Sequence, residues 1–282
     1  MYTFLNDSFL PSADAALGVT DLAIQRGYGI FDFFKTVGGI PIFLDDHLDR
    51  FFHSAARMRL SVGKTREELK EILAQLMLLN NLPDSGIRIT LTGGYSADSI
   101  SPGQPNLIII QQSMNPPGKE CSTPIRLISY PHQRQLPDIK TIDYLMAIHL
   151  QPHIREHGAS DVLYHQNGVV TECPRCNFFL VTADDRLVTP SRNMLKGITR
   201  MKVLEFGYAN SNVEERDVLL TEIPTAKEAF ITSTSRHIVP VSSIDDILIC
   251  GAATGPTPGA APGPVAQQLN YQLYRLVAGG AH

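Results

Sequence analysis

Lys140 stands in PDIKTIDYL (137–145), between Ile139 and Ile142. A lysine in apolar surroundings loses stability in its charged form, so its free amine becomes available to condense with a carbonyl. Taken alone, the same residue reads as a surface lysine beside a proline turn. Glu172 follows Thr171 in GVVTECPRCNFFL (168–180), after a turn and before an apolar strand. A carboxylate there can pair with a protonated pyridine nitrogen and make the ring an electron sink. The segment Leu195 to Arg200 (LKGITR) joins Gly197 to a helix start, the arrangement by which backbone N–H groups and the helix dipole receive a phosphate. Thr232 to Ser235 (TSTS) offers hydroxyls for the same task, and Arg50, three positions after His47 on a predicted helix, presents a planar fork of donors.

Arg26, Arg88 and Arg175 are flanked by glycine, isoleucine or cysteine on predicted strands or tight turns. Each by itself reads as an exposed charge, since strand residues alternate outward as often as inward; together they would make a carboxylate trap. Cys173 and Cys176 form a lone CxxC without a second pair or suitably spaced histidines, so no metal is expected. The 282 residues carry a net charge of -4 with 18% charged residues, which gives no basic stripe for nucleic acid. Four cysteines and a start without basic and apolar leader regions point to a reduced, cytoplasmic setting, and no apolar run reaches the roughly 20 residues of a membrane helix.

These residues need elements to hold them. Gly29 to Val37 (GIFDFFKTV) turns at Gly38-Gly39 into Ile40 to Leu44, a predicted hairpin. From Asp46 the apolar spacing becomes helical, with Asp45 or Asp46 as the cap, and a second helix is predicted from Thr65 to Asn80. Strands return at Gly86 to Thr92 and Asn106 to Gln111. The run MNPPGKE (114–120) cannot continue either flanking element and marks a linker. The expected organisation is a small domain over 1–113, a linker over 114–121 and a large domain over 122–282. The large domain is read as strands at 124–129, 161–164, 178–182 and 228–232, helices after Asp143 and Gly197, a loop from Gly251 to Pro264, and a closing helix from Val265 to Leu276.

Six strings in order, RGYGIFDFFKT (from Arg26), FLDDHLDRF (Phe43), DIKTIDYL (Asp138), GVVTECPRCNFFLV (Gly168), LKGITR (Leu195) and EAFITSTSRHIVPV (Glu228), resemble those of the class IV aminotransferases over nearly the whole chain. The resemblance implies an α+β, two-domain D-amino-acid aminotransferase-like fold, a small α/β domain plus a larger pseudo-barrel domain. It implies pyridoxal 5'-phosphate as cofactor, an amino acid and a 2-oxo acid as substrates, and a homodimer with the active site at the subunit and domain junction. Neither nucleic acid nor membrane is an expected partner. Lys140 would carry the cofactor as a Schiff base and shuttle a proton, Glu172 would hold the pyridine nitrogen, and Leu195 would pack on the ring. Arg50, Gly197, Ile198, Thr199, Ser233 and Thr234 would bind the phosphate, and Tyr144 the 3'-oxygen. Bacillus-type D-amino-acid enzymes of the family carry an Arg-x-His pair after the strand matching Ile87 to Thr92; here the loop reads GGYSADS, with Asp98 near that position. Arg26, Arg88 and Arg175 resemble instead the anchors of a less usual, arginine-anchored D-amino-acid group, while Tyr28, Phe31 and Phe33 are the residues able to supply the apolar side-chain pocket that a branched-chain enzyme needs. An L-branched-chain aminotransferase and an aminodeoxychorismate lyase remain the alternatives.

Overall fold

The computed structural model describes residues 1–116, 118–209, 212–249 and 261–279. Cys250 and residues 251–260, most of the expected loop, lie outside the described residues. The chain gathers into two units. One comprises Met1–Pro116 with Ile139–Asp143 and a short piece from Val277; the other comprises Pro117–Asp138 and Tyr144–Leu276. Ile139–Asp143, the segment around Lys140, therefore returns to the first unit from beyond the expected linker.

The first unit is built on an antiparallel sheet of β1 (Tyr2–Leu5), β2 (Ser8–Pro11), β3 (Gly29–Val37), β4 (Ile40–Pro41), β5 (Ser85–Thr92) and β6 (Leu107–Ser113), in the order β2-β1-β6-β5-β3-β4. α1 (Leu22–Arg26), α2 (Leu44–Arg57) and α3 (Arg66–Asn80) complete it. Ile30, Asp32 and Phe34 stand opposite Leu91, Ile89 and Ile87 in the β3–β5 register, so all six side chains share one face. The apolar members of that set join Leu48 and Phe51 of α2 and Leu69, Leu73 and Leu76 of α3 in one core. Phe31, Phe33 and Arg88 belong to the other face.

Three local expectations are corrected. The second strand of the hairpin stops at Pro41, because Phe43 turns left-handed (φ 53°) and starts α2 at Leu44. Asp45 and Asp46 consequently sit in the first helical turn, where they favour the dipole rather than cap the end. Arg26 ends a short helix, with Gly27 left-handed behind it, rather than lying on a strand. Thr65 does cap α3, in a reciprocal pair with Glu68.

The second unit contains β7 (Ile125–Pro131), β8 (Asp161–Gln166), β9 (Val169–Val170), β10 (Glu172–Cys173), β11 (Cys176–Val181), β12 (Leu187–Pro190), β13 (Val213–Arg216), β14 (Val218–Leu219), β15 (Glu228–Ser233), β16 (His237–Ile244) and β17 (Ile247–Leu248). They form a mixed sheet in the order β13-β12-β11-β15-β16-β7-β8-β9-β14, with β10 on β11 and β17 on β16. Its helices are α4 (Leu145–His149), α5 (Gln151–Glu156), α6 (Ile198–Ala209) and α7 (Pro264–Gly279). β11 is buried along its whole length. Phe178 and Leu180 enter one core with Ile231 and Val239, whereas Phe179 and Val181 enter another with Val203 and Leu204 of α6 and Leu269 and Leu273 of α7. A strand covered on both faces reads as a continuous apolar run, which is what CNFFLV is.

Gly207 lets α6 approach β13 closely: a Cβ there would lie 2.7 Å from the Val213 Cβ. Alanine gains about 1 kcal/mol in helix propensity over glycine. Overpacking costs about 1–3 kcal/mol. Gly207→Ala is therefore expected to lower stability in urea denaturation despite the better helix former; a rise in the midpoint at unchanged slope would contradict the packing described.

Candidate active site

In the first unit, the strand that carries Phe31 receives the lysine segment along its edge. Phe31 N–H donates to the Lys140 carbonyl at 3.0 Å, Ile142 N–H donates to the Gly29 carbonyl at 3.0 Å, and Ile30 and Thr141 form an antiparallel bridge. Lys140 N–H donates to the Ser54 hydroxyl of α2 at 3.3 Å, and Ile139 is buried in the helix-covered core. Backbone contacts thus fix the lysine on both sides. Its Nζ lies 4.5 Å from the Phe31 ring centre, and the guanidinium carbon of Arg88 lies 4.2 Å from the same centre. One aromatic ring therefore carries the candidate nucleophile and a candidate carboxylate anchor, a contact worth about 0.5–2 kcal/mol per cation.

One residue along β3, on the opposite face, Asp32 is fully buried. Arg50 donates to it through Nε at 2.8 Å and through one terminal nitrogen at 2.8 Å, and His47 Nδ1 lies 2.7 Å away. Burial alone would raise the carboxyl, but the Arg50 charge and the hydrogen bonds from Arg50 and His47 more than offset it and hold it far below the usual carboxylate range. An ionised carboxylate only accepts, so His47 carries its proton on Nδ1. Burial keeps that imidazole neutral by lowering its pKa, which the nearby Arg50 and Lys140 charges lower further against the pull of Asp32.

In the second unit, the strand registers set Glu172 opposite Asn177 and Asn177 opposite Thr232. Asn177 then ties the start of α6 to this row: its Nδ2 donates to the Leu195 carbonyl at 2.7 Å, and Gly197 N–H donates to its Oδ1 at 3.1 Å. A Cβ on Gly197 would stand 2.2 Å from that oxygen, so a larger residue here would have to displace the Asn177 amide and its two hydrogen bonds. Glu172 is buried, accepting from Arg134 at 3.0 Å and from Leu195 N–H at 3.1 Å. Ser233 and Thr234 follow directly at the end of β15, and Ser233 Oγ accepts from Arg236 N–H at 3.3 Å.

The structure places the remaining candidates less uniformly. Arg26 donates to the carbonyls of Ser99 and Gln25 at 3.1 and 2.9 Å, and the Tyr28 hydroxyl donates to the Met58 carbonyl at 2.7 Å. Tyr144 is half-buried at the start of α4. Arg175 occupies the two-residue turn between β10 and β11, 66% exposed, with a nitrogen 4.0 Å from Asp161. Cys173 and Cys176 are free thiols paired across that turn, and burial pushes both pKa values up. Asp32, Arg134 and Asn177 were invisible as site residues in the sequence. Asp32 alone left a trace, as a carboxylate set between aromatic residues in β3.

A family model for class IV aminotransferases matches residues 29–244, and the chain belongs to that family. It is 29% identical to a D-alanine aminotransferase of Bacillus licheniformis, over 91% of this chain and 93% of that one. It is 30% identical to a Methanocaldococcus jannaschii protein named "Putative branched-chain-amino-acid aminotransferase", over 90% and 92%. Its fold is that of the Escherichia coli branched-chain amino acid aminotransferase, with a TM-score of 0.87, 22% identity, and 99% and 95% of the two chains covered. The cofactor is pyridoxal 5'-phosphate, and the residues present fit it: an amine held on an aromatic ring, a buried carboxylate, and a helix start opened by a glycine.

Removing one partner of a buried ion pair leaves the other charge uncompensated. Asp32→Asn is therefore expected to cost about 3–5 kcal/mol in urea denaturation at neutral pH. Because the folded carboxyl is depressed, its contribution is complete above the ordinary carboxylate pKa of about 4 and is lost as pH falls below it. The gap between wild type and variant should accordingly narrow on acidification from pH 5 to pH 3. A gap that widens would contradict this assignment.

Proposed function

We propose that this chain transfers an amino group between a D-amino acid, such as D-glutamate or D-alanine, and a 2-oxo acid, such as 2-oxoglutarate or pyruvate. The observation that carries the reading is Arg88 lying over the ring that also bears the Lys140 amine. A guanidinium grips a carboxylate with two parallel hydrogen bonds, and an arginine that close to the reacting amine suits an α-carboxylate or an acidic side chain. Arg26 and Arg175 are read as further anchors, with Tyr28, Phe31 and Phe33 as the apolar wall. The Bacillus licheniformis relative supports the same substrate class.

Pyridoxal phosphate, when bound, supplies an electron sink for the carbon that loses its proton. The protein's part begins with Lys140, which carries the cofactor and takes the Cα proton on its amine before returning it. Glu172, kept in place by Arg134 and the Leu195 N–H, would hold the pyridine nitrogen, and the Leu195 side chain would pack on the ring. Gly197, Ile198 and Thr199 at the helix start bind the phosphate with Ser233, Thr234 and Arg50. The Asp32 clamp engages the Nε edge of the Arg50 guanidinium and fixes its plane before any ligand arrives, so little further ordering is needed. Tyr144 is assigned to the 3'-oxygen.

A homodimer is part of the reading. Val19, Ile24, Ile100, Leu145 and Ile148 are large apolar side chains more than half exposed, the kind of surface a second copy covers. A cytoplasmic location is supported by free thiols at Cys121, Cys173 and Cys176. Among the described residues, no helix is long and apolar enough to cross a membrane.

One observation favours a second reading, an L-branched-chain aminotransferase: the similarity to the Methanocaldococcus jannaschii protein. The purified holoenzyme, given D-alanine, D-glutamate or L-leucine with 2-oxoglutarate or pyruvate, separates the two. Formation of the new amino acid from the D-donors, at least about tenfold faster in kcat/KM than from L-leucine, is expected, a difference of about 1.4 kcal/mol in transition-state binding. Turnover of L-leucine with none of either D-donor would overturn the proposal.

A further inference from the structure

We propose that Asp161 is the positioning residue for Arg175: its carboxylate is the counter-ion that takes the guanidinium when the substrate brings no second carboxylate, and yields it when the substrate brings one. The inference rests on the reading of Arg175 as a substrate anchor and deepens it by naming what sets the choice between acidic and neutral substrates.

Asp161 opens β8 and is 3% exposed. Its Oδ1 accepts the N–H of its neighbour Val162 at 2.9 Å. Its Oδ2, equally buried, has no hydrogen-bond partner among the described residues. Buried carboxylate oxygens ordinarily have donors, so this one needs an explanation. The facing cation is Arg175, whose terminal nitrogen stands 4.0 Å away, just beyond hydrogen-bond reach. Burial raises the Asp161 carboxyl, against the pull of Arg175 and Arg236. Arg236 makes no hydrogen bond to this oxygen and donates instead to the Cys176 sulfur at 3.6 Å. Tyr164, Cys173 and Glu172 offer no cation.

Arg175 is free to choose in a way the other arginines are not. It sits on a two-residue turn, so its backbone is held by the β10–β11 pair while its side chain projects into solvent. A shift of about 1 Å closes a charge-assisted bond to Asp161. A swing outward presents the same fork to a ligand from the turn that joins β10, the strand of Glu172, to β11. A site that must accept both D-alanine and D-glutamate would otherwise leave an unpaired arginine facing the smaller substrate. Asp161 gives Arg175 a partner in place of water when the smaller substrate brings none and, by the same linkage, weakens every acidic substrate by the fraction of Arg175 it holds.

The test is a double-mutant cycle on the holoenzyme, reading the ratio of KM for 2-oxoglutarate to KM for pyruvate. Arg175→Gln should raise the ratio. Asp161→Asn should lower it about fivefold, the low end of ordinary coupling between linked equilibria, with Arg175 present and leave it unchanged in the Arg175→Gln background. Asp161→Glu, which keeps the charge, should stay near wild type, and Asp161→Ser provides a second uncharged variant should the asparagine fail to fold. An Asp161→Asn effect that is absent, or the same in both backgrounds, overturns the positioning role while leaving Arg175 an anchor. A ratio unmoved by Arg175→Gln itself removes the anchor, and the proposal with it.

Discussion

The unit that carries Lys140 is organised around a charge that cannot reach water. Asp32 lies at zero exposure between Ile30 and Phe34 on the core-facing side of β3. A carboxylate there is tolerable only with donors on every side, and α2 must bring Arg50 and His47 to it. That requirement fixes how the helix sits on the strand. The strand in turn presents Phe31 on its other face and takes the lysine segment along its edge. A buried ion pair, poor as a source of net stability, here sets geometry for an amine it does not touch.

The second unit solves a parallel problem with a neutral side chain. A carboxylate, a helix start and a hydroxyl-bearing turn come from three places in the chain; Asn177 stands between Glu172 and Thr232 in the strand register, and its amide, donor and acceptor in one plane, ties the helix start to them. Neither aspartate nor leucine of similar size could satisfy the Leu195 carbonyl and the Gly197 N–H at once. The close approach at Gly197 follows from the same bond.

Elements whose burial makes a pattern were legible in the sequence. α3 showed its apolar face and its Thr65 cap, and β11 showed the unbroken apolar run of a strand covered twice. The start of α6 was legible as Gly-Ile-Thr after a loop. What stayed hidden was set by tertiary partners. The start of α2 is fixed by a left-handed Phe43, a conformation no residue type announces, and β1 and β2 are four-residue strands with no strong alternation. Within the site, Lys140 and Glu172 could be singled out from chemistry and family order. Arg134 and Asn177 could not, because an arginine in a loop after a strand and an asparagine in a strand have no local signature; only the fold reveals their partners.

The central claim is that Lys140 is the amine that bears the cofactor. The most direct measurement is to load the purified protein with pyridoxal phosphate, reduce it with borohydride and locate the added mass by peptide sequencing. The account predicts a single phosphopyridoxyl group on Lys140. Its appearance on another lysine, such as the buried Lys35, or the absence of any stoichiometric adduct, would contradict it.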